Sequence, residues 1–333
     1  MKIIICLWLV LLGCSQSYAQ QGTKIATWNI EHLGKMGENV RGGTHGCGYG
    51  FSHRSNPQLK QIAGLISERE FAIVCIQEVM LDKNGECNQL ETIRKELGGN
   101  WTVILPTFKD KVGGFTTGMS SMQTAYLFDS NKVRLDWSQI LYYPAYRIQG
   151  SDLHDRPPLV ARFTAMDNGT DKNDFVLVNL HLASGQQKRH NKAIAMSDIV
   201  KDVENLVLEQ TFTESNGSVE NDIVFLGDFN HDPWDVKTDH LDRFMTGGKY
   251  TRHKYYNLLD QSEKCTRMNK AFSSRIDHIY VSDGVMDHLI YDHAKLWLPD
   301  VDQNCENYAM YRETFSDHFP LYFLMTYDEN AGE

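Results

Sequence analysis

The 333-residue chain carries 33 Lys and Arg against 43 Asp and Glu, a formal net charge of −10 at neutral pH. That balance excludes a protein that coats nucleic acid by bulk electrostatics, so any polyanion must be held locally or through a metal. Apolar residues make up 41 % and charged residues 23 %, a composition of folded globular proteins, and the length suits one α/β core.

Lys2 is followed by an apolar run over residues 3–12 that is too short to cross a bilayer as a helix. It reads as an export signal occupying residues 1–19, followed by a single domain over 22–328. Two processing schemes fit. Ser17-Tyr18-Ala19 places small residues before Gln20, as a signal peptidase requires; Leu11-Leu12-Gly13-Cys14 resembles a bacterial lipoprotein box and would put a lipid anchor on Cys14. Either scheme places the mature protein outside the cytoplasm, as a secreted, periplasmic or surface protein. Cys75, inside the apolar run 72–76, is expected to be a buried thiol. Cys47, Cys87, Cys265 and Cys305 lie in polar, loop-like stretches, where an oxidising compartment favours two disulfides. Nearest-neighbour pairing gives Cys47–Cys87 and Cys265–Cys305, although other pairings are open.

Residues 24–30 form the first expected strand, which ends at Asn29 and Glu31. The Gly-rich stretch 42–50 lacks phosphate-loop spacing and reads as a surface loop. Asn56-Pro57 starts a helix, with Leu59, Ile62, Ala63, Leu65 and Ile66 on one face. A buried strand over 71–79 closes on Gln77-Glu78, and a helix follows over 89–97. Strands are expected at 101–105 and 124–128, around a Gly- and Thr-rich loop, and after the turn Asn131-Lys132. Arg156 precedes two prolines and the strand 159–163, a rigid extended setting that suits a fixed cation. The strand 175–180 ends in Asn179, His181 and Ser184, and a long amphipathic helix spans about 187–209.

Val224-Phe225-Leu226 is a short buried strand that breaks at Gly227. It delivers Asp228 and Asn230 at i and i+2, on the same side, although Gly-Asp and Asn-x-Asp-Pro also suit a plain turn. From Arg243 to Arg275 the charge reverses: eight Lys and Arg stand against Asp260 and Glu263, interleaved with Phe244, Tyr250, Tyr255, Tyr256 and Phe272. This stretch reads as a polyanion-facing surface or a solvated connector. The strand 275–281 carries Asp277 among apolar neighbours, where an unpartnered carboxylate would cost several kcal/mol. Ser316-Asp317-His318 leads into the last strand, 321–325, and His318 is the natural partner for Asp277.

Six strand ends therefore carry polar residues, an arrangement expected of a single rim at which a ligand binds in an α/β sheet. No serine or cysteine nucleophile has a base beside it. Metal-assisted hydrolysis of a phosphate ester fits this set, and acyl transfer does not.

The ordered set Trp28-Asn29-Ile30-Glu31, Gln77-Glu78, His181, Gly227-Asp228-Phe229-Asn230, Ile276-Asp277 and Ser316-Asp317-His318 resembles the endonuclease/exonuclease/phosphatase superfamily, which includes deoxyribonuclease I. The resemblance implies a four-layer α/β sandwich, with two packed mixed β-sheets flanked by helices. It implies Mg²⁺ (with Mn²⁺ or Ca²⁺ as alternatives) on Glu78, with Glu31 and Asp317 as further ligands and Asn29 nearby. Asp228 and Asn230 would orient or activate water, Asp277 and His318 would form a dyad, and His181 would act beside the scissile phosphate. Arg156 and Asn29 would contact substrate. One departure stands out: the glutamate that partners the histidine matching His181 in deoxyribonuclease I has no counterpart in Met119-Ser120-Ser121-Met122-Gln123. The expected activity is that of an exported monomeric phosphodiesterase acting on nucleic acid, DNA first. A sphingomyelinase-like phospholipase or a phosphatase of the same fold is the alternative.

Overall fold

The computed structural model describes residues 22–34, 54–81, 86–106, 122–141, 156–182, 189–210, 220–232, 245–246, 251–259, 265–269, 272–289, 294–296, 311–312 and 314–327. Strand β1 (Gly22–Leu33) leads through helix α1 (Asn56–Glu68) to β2 (Ile73–Met80), which runs parallel to β1. Helix α2 (Asn88–Leu97) and strands β3 (Trp101–Ile104) and β4 (Met122–Asp129) follow, with β4 antiparallel to both β2 and β3. β5 (Val133–Ile140), β6 (Leu159–Asp167) and β7 (Thr170–His181) form an antiparallel meander. Helix α3 (Arg189–Glu209) then carries the chain to β8 (Ile223–Asp228), parallel to β7. The remaining elements are β9 (Tyr255–Asn257), the hairpin β10 (Arg267–Asn269) and β11 (Phe272–Ser274), β12 (Asp277–Ser282), the short helix α4 (Asp283–Met286), β13 (Lys295–Leu296) and β14 (Leu321–Thr326).

Two six-stranded mixed sheets result, in the orders β13-β14-β1-β2-β4-β3 and β5-β6-β7-β8-β12-β9. Each holds one parallel pair near its centre, β1 with β2 and β7 with β8. Parallel neighbours need a crossover, and α1 and α3 supply the helices of those crossovers.

Side-chain alternation sorts each strand between layers. In β2, Ile73 and Cys75 enter the space between the sheets, while Val74 and Ile76 face α1 and α2. In β8, Val224 and Leu226 point inward, while Ile223 and Phe225 face α3. The layers are thus α1/α2, first sheet, second sheet, α3, as the four-layer expectation requires. Each fully buried Leu, Ile or Phe contributes about 1.5–3 kcal/mol. An exposed ion pair such as Lys60–Glu96 contributes about 0–1 kcal/mol, so the three apolar layers hold the sandwich together.

The inter-sheet layer changes character along the strands. Beyond Cys75 and Leu177 the inward positions become Thr27, Gln77 and Asn179. Gln77 Nε2 donates to Thr27 Oγ1 at 3.0 Å and to Asn179 Oδ1 at 2.7 Å. Asn179 Nδ2 donates to Ala125 O at 2.8 Å, and the Tyr126 hydroxyl donates to Leu159 O at 2.7 Å or Leu177 O at 2.8 Å. This buried polar floor crosses between the sheets and separates the apolar core from the strand ends above it.

Several sequence expectations shift locally. The cap of α1 is Ser55, whose N–H donates to Gln58 Oε1 at 2.7 Å, so Asn56 is already helical. Cys87 and Cys265 lie outside helices and strands as expected, but both are buried in the layer between the first sheet and its helices. Cys87 Sγ lies 3.4 Å from Leu33 O. The partners expected for them, Cys47 and Cys305, lie outside the described residues, and no disulfide joins two described cysteines. Cys75 is a fully buried free thiol. Residues 1–21, the Gly-rich stretch 42–50 and residues 119–121 also lie outside the described residues.

Gly227 has φ +140°, and a Cβ there would lie 2.0 Å from Leu180 O, across the β7–β8 pair. Gly64, exposed in the middle of α1, has nothing within 4 Å of an added Cβ. Gly227→Ala is therefore expected to cost at least about 3 kcal/mol, and Gly64→Ala to stabilise by up to about 1 kcal/mol, both read by urea denaturation.

Candidate active site

Both parallel pairs end at the same edge of the sandwich, and backbone irregularities there re-aim the side chains. In β2 the alternation that buries Gln77 between the sheets would send Glu78 the other way. Instead the β2–β4 register shifts between Ile76 and Val79, and Glu78 takes φ +61°. The β1–β2 register shifts likewise after Asn29, with Glu31 at φ +48° and His32 at φ +54°. Asn230, just past β8, has φ +51°. Among the described residues six non-glycine residues have left-handed φ, and these are four of them. Such conformations cost of order 1–3 kcal/mol each, so local strain concentrates where the polar side chains converge.

The focus of the site is one oxygen, Asp228 Oδ2. Asn29 Nδ2 donates to it at 2.9 Å and also to Glu78 Oε1 at 3.1 Å. His181 Nε2 lies 3.6 Å away and His318 Nε2 3.9 Å away. The other oxygen, Asp228 Oδ1, accepts the Asn230 backbone N–H at 2.7 Å, and Asn230 Nδ2 is tied to Leu182 O at 2.8 Å. Glu78 Oε2 accepts the His32 N–H at 3.2 Å. β12 runs antiparallel to β8 with Asp277 opposite Asp228, and His318 Nδ1 meets Asp277 Oδ2 at 2.8 Å. The buried carboxylate that required a partner has it.

Charge states follow from these contacts. Burial pushes Asp228 up to about 6, helped by Asp277 and opposed by His318 and Asn29. Burial by itself would lower His318, but Asp277, Asp317 and Asp228 outweigh it and push the imidazole up to about 10. His181 moves the opposite way, well below its ordinary value, through burial and then the Arg156 charge. Arg156 Nη1 is 3.0 Å from His181 Nε2. Arginine can only donate, so Nε2 accepts and the neutral ring carries its proton on Nδ1. That buried Nδ1 has no hydrogen-bond partner among the described residues, where the sequence lacks the expected acid.

Glu31 and Asp317, expected beside the metal, each face an arginine. Arg312 makes a two-point ion pair with Glu31, Nε lying 3.1 and 3.0 Å from its two oxygens and Nη2 bonding Oε1. Arg267 Nε donates to Asp317 Oδ2 at 2.9 Å, and the Asp317 N–H reaches Glu31 Oε2 at 3.2 Å. Asp317 also feels burial, which would raise it, but His318, Arg267 and Arg312 hold it below the usual carboxylate range. The buried Arg54 donates to Ile30 O at 2.5 Å, Glu31 O at 3.0 Å and Phe315 O at 2.6 Å. It ties the bulged end of β1 to the segment before β14.

Two groups in the described residues bring three ligand-type atoms within 4.8 Å of one another: Glu78, His181 and Asp228, and Asp228, Asp277 and His318. In the second group His318 and Asp277 already satisfy each other. In the first, two carboxylates from different sheets face one another with an amide between them, an oxygen-rich set that suits a hard divalent cation. The residues thus fit a metal at Glu78 with Asp228 opposite.

Arg54, Arg312, Arg267 and His32 belong to the site and were not singled out in the sequence. Only Arg267 carried a signal, as one of the cations counted between 243 and 275. The described residues of that stretch do not share one face: Tyr255 is buried against α3, Lys254 lies over the Tyr256 ring at 4.5 Å and Arg275 Nε is 3.3 Å from Asp232.

Two packed mixed sheets with carboxylates, two histidines and an asparagine gathered at one edge define a phosphoesterase-type hydrolase site. The chain belongs to the endonuclease/exonuclease/phosphatase family, whose sequence profile matches residues 26–318. Solved structures share the fold. A family protein from Bacteroides thetaiotaomicron is 18 % identical with TM-score 0.52, over 93 % of this chain and 100 % of that one. TDP2 from Caenorhabditis elegans is 15 % identical with TM-score 0.54, over 92 % and 74 %. A Bacteroides thetaiotaomicron mannosyl-6-phosphatase is 17 % identical with TM-score 0.51, over 90 % and 98 %. No curated protein matches the chain.

His318 and Asp228 both titrate above their ordinary values in the fold, so each contributes stability that is complete below its unfolded value and is lost as pH rises through its folded value. For Asp228 the window runs from 3.8 through about 6; for His318 it runs from 6.5 through about 10. Metal-free protein is expected to lose stability steadily from neutral pH towards pH 10, and His318→Gln to flatten that slope, as read by urea midpoints across pH.

Proposed function

We propose that the protein is a metal-dependent phosphodiesterase whose substrate is DNA, exported by the leader at residues 1–19 and acting as a monomeric domain over 22–328. The observation that carries the phosphodiesterase reading is the convergence of Asn29, His181 and His318 on Asp228 Oδ2, with Glu78 held beside it by the same asparagine. DNA as substrate is supported by the export leader, by the guanidinium of Arg156 fixed at the site and by a second arginine, Arg267, held at Asp317 beside it, in a chain of net charge −10.

Bound at Glu78, a divalent cation such as Mg²⁺ would supply charge neutralisation to the phosphate oxygens. Asp228 takes a proton from the attacking water, and burial, which raises its carboxylate above the ordinary value, makes it the more basic. The Asn230 N–H and the Asn29 amide fix the carboxylate in place. As the water oxygen bonds to phosphorus, the ester P–O bond opposite breaks. His318, held as an imidazolium by Asp277, gives its Nε2 proton to the departing oxygen. His181 remains neutral, and Arg156 on its Nε2 is placed to meet a phosphate oxygen.

A phosphatase reading is favoured by one observation, the structural likeness to a mannosyl-6-phosphatase, and a sphingomyelinase-like activity remains the other competing ester specificity. Purified mature protein incubated with supercoiled plasmid, sphingomyelin and a sugar phosphate, with and without EDTA, separates them. Plasmid nicking that EDTA abolishes is the expected result; release of choline phosphate or inorganic phosphate with intact plasmid would refute the DNA assignment.

His318→Ala removes the proton donor, and a positioned acid–base group contributes about 10²–10⁴-fold. A loss of that size in kcat, with an unchanged circular dichroism spectrum, is expected. Near-wild-type turnover would remove His318 from the mechanism.

A further inference from the structure

Arg267 stands at the margin of the site and has no part in the chemistry above. Its Nε donates to Asp317 Oδ2 at 2.9 Å, and its backbone bridges that of His318, so the residue is held at both ends beside the dyad. The neighbouring Thr266 accepts the N–H groups of Ile276 and Asp277 through Oγ1, at 3.0 Å each, which anchors the β10–β11 hairpin to the start of β12. The terminal nitrogens of Arg267 have no protein partner among the described residues, and the side chain is 35 % exposed. The guanidinium therefore presents a fixed fork of donors outward, the geometry that suits a phosphate. Its charge is also felt at Asp228, Glu78 and His181.

Arg156 flanks the same centre from the other side. It precedes β6, and in the sheet order β6 is separated from β12 by β7 and β8. At about 4.8 Å per strand, β6 and the start of β12, to which Thr266 ties the hairpin, stand about 14 Å apart, so the two arginines approach the centre from separate bases. The phosphate being cleaved is met by Arg156, His181, His318 and the Glu78–Asp228 pair. A second outward guanidinium on the far side of Asp228 would find no anion on an isolated diester, and it would repel the quaternary ammonium of a choline headgroup.

We infer that Arg267 binds the phosphate flanking the scissile one in a polynucleotide strand, and so selects nucleic acid over esters with a lone phosphate. The inference rests on the nuclease reading and assigns the residue that carries its substrate preference. In a chain of net charge −10, such a fixed local cation is what a polyanion requires.

The test compares kcat/KM on a short single-stranded DNA oligonucleotide and on bis(p-nitrophenyl) phosphate, which bears one charge and no flanking phosphate. Arg267→Gln keeps an amide donor for Asp317 and removes the charged fork. It is expected to lose roughly tenfold more on the oligonucleotide than on the small diester, mainly in KM. The salt slope of the oligonucleotide KM should fall by about 0.7. If Arg267→Gln does not fold, Arg267→Lys, which keeps the charge but not the fork, is expected to show the same preferential loss. Equal losses on the two substrates, or no loss on either, would overturn the inference while leaving the nuclease reading in place. Wild-type protein that cleaves the small diester but not DNA would overturn both.

Discussion

The two sheets meet chemically at the Asn29 side chain, whose single amide nitrogen donates to Glu78 Oε1 and to Asp228 Oδ2. An asparagine offers two such donors, and here each serves a carboxylate from a different sheet. Without that bridge two acidic groups would face one another at the edge of a low-dielectric interior, where an unsatisfied carboxylate costs several kcal/mol. The remaining polar atoms are arranged around this junction. The Asn230 and His32 N–H groups hold the outer oxygens, and the dyad of His318 and Asp277 closes one side. Below them, the layer of Gln77, Thr27, Asn179 and Tyr126 crosses the same inter-sheet gap with neutral hydrogen bonds. The site is thus the open end of a polar seam whose other end is the apolar core.

The junction could not form from ideal strands. A regular β2 would bury Gln77 and turn Glu78 away. The register shift and left-handed φ at Glu78 bring both inward in succession, and those at Glu31 and His32 aim a backbone N–H at Glu78. Strain of this kind persists only when the surroundings over-determine it. Arg54 supplies part of that constraint by gathering three carbonyls from two segments. The apolar layers on either side of each sheet supply the stability against which the strain is set.

Much of this was legible in the sequence because short apolar runs ending in acid, amide or imidazole are hard to explain as ordinary strands. Asp277 announced a partner by its apolar neighbours, and His318 is that partner. The four-layer sandwich followed from the resemblance carried by those strand ends. What the sequence hid was anything dependent on a bulge or on a distant unpatterned residue. Alternation cannot announce that Glu78 turns inward, and nothing around Arg312 marks it as the cation that engages Glu31. Cys87 and Cys265 misled for a related reason: a polar local sequence says little about burial when the residue lies beneath a helix or beside a strand. The basic stretch left two readings open because composition averages over residues with different places: among those described, Tyr255 lies in the core and Arg267 at the site.

A divalent ion held by Glu78, as proposed, would lie at the Asn29 junction, so locating it is the most direct test. Anomalous diffraction from crystals of the protein grown with Mn²⁺ gives the position without reference to any activity. The expected result is a peak bound to Glu78, on the side facing Asp228. A peak at Glu31 and Asp317 with Glu78 and Asp228 unligated, and the arginines displaced, would contradict it.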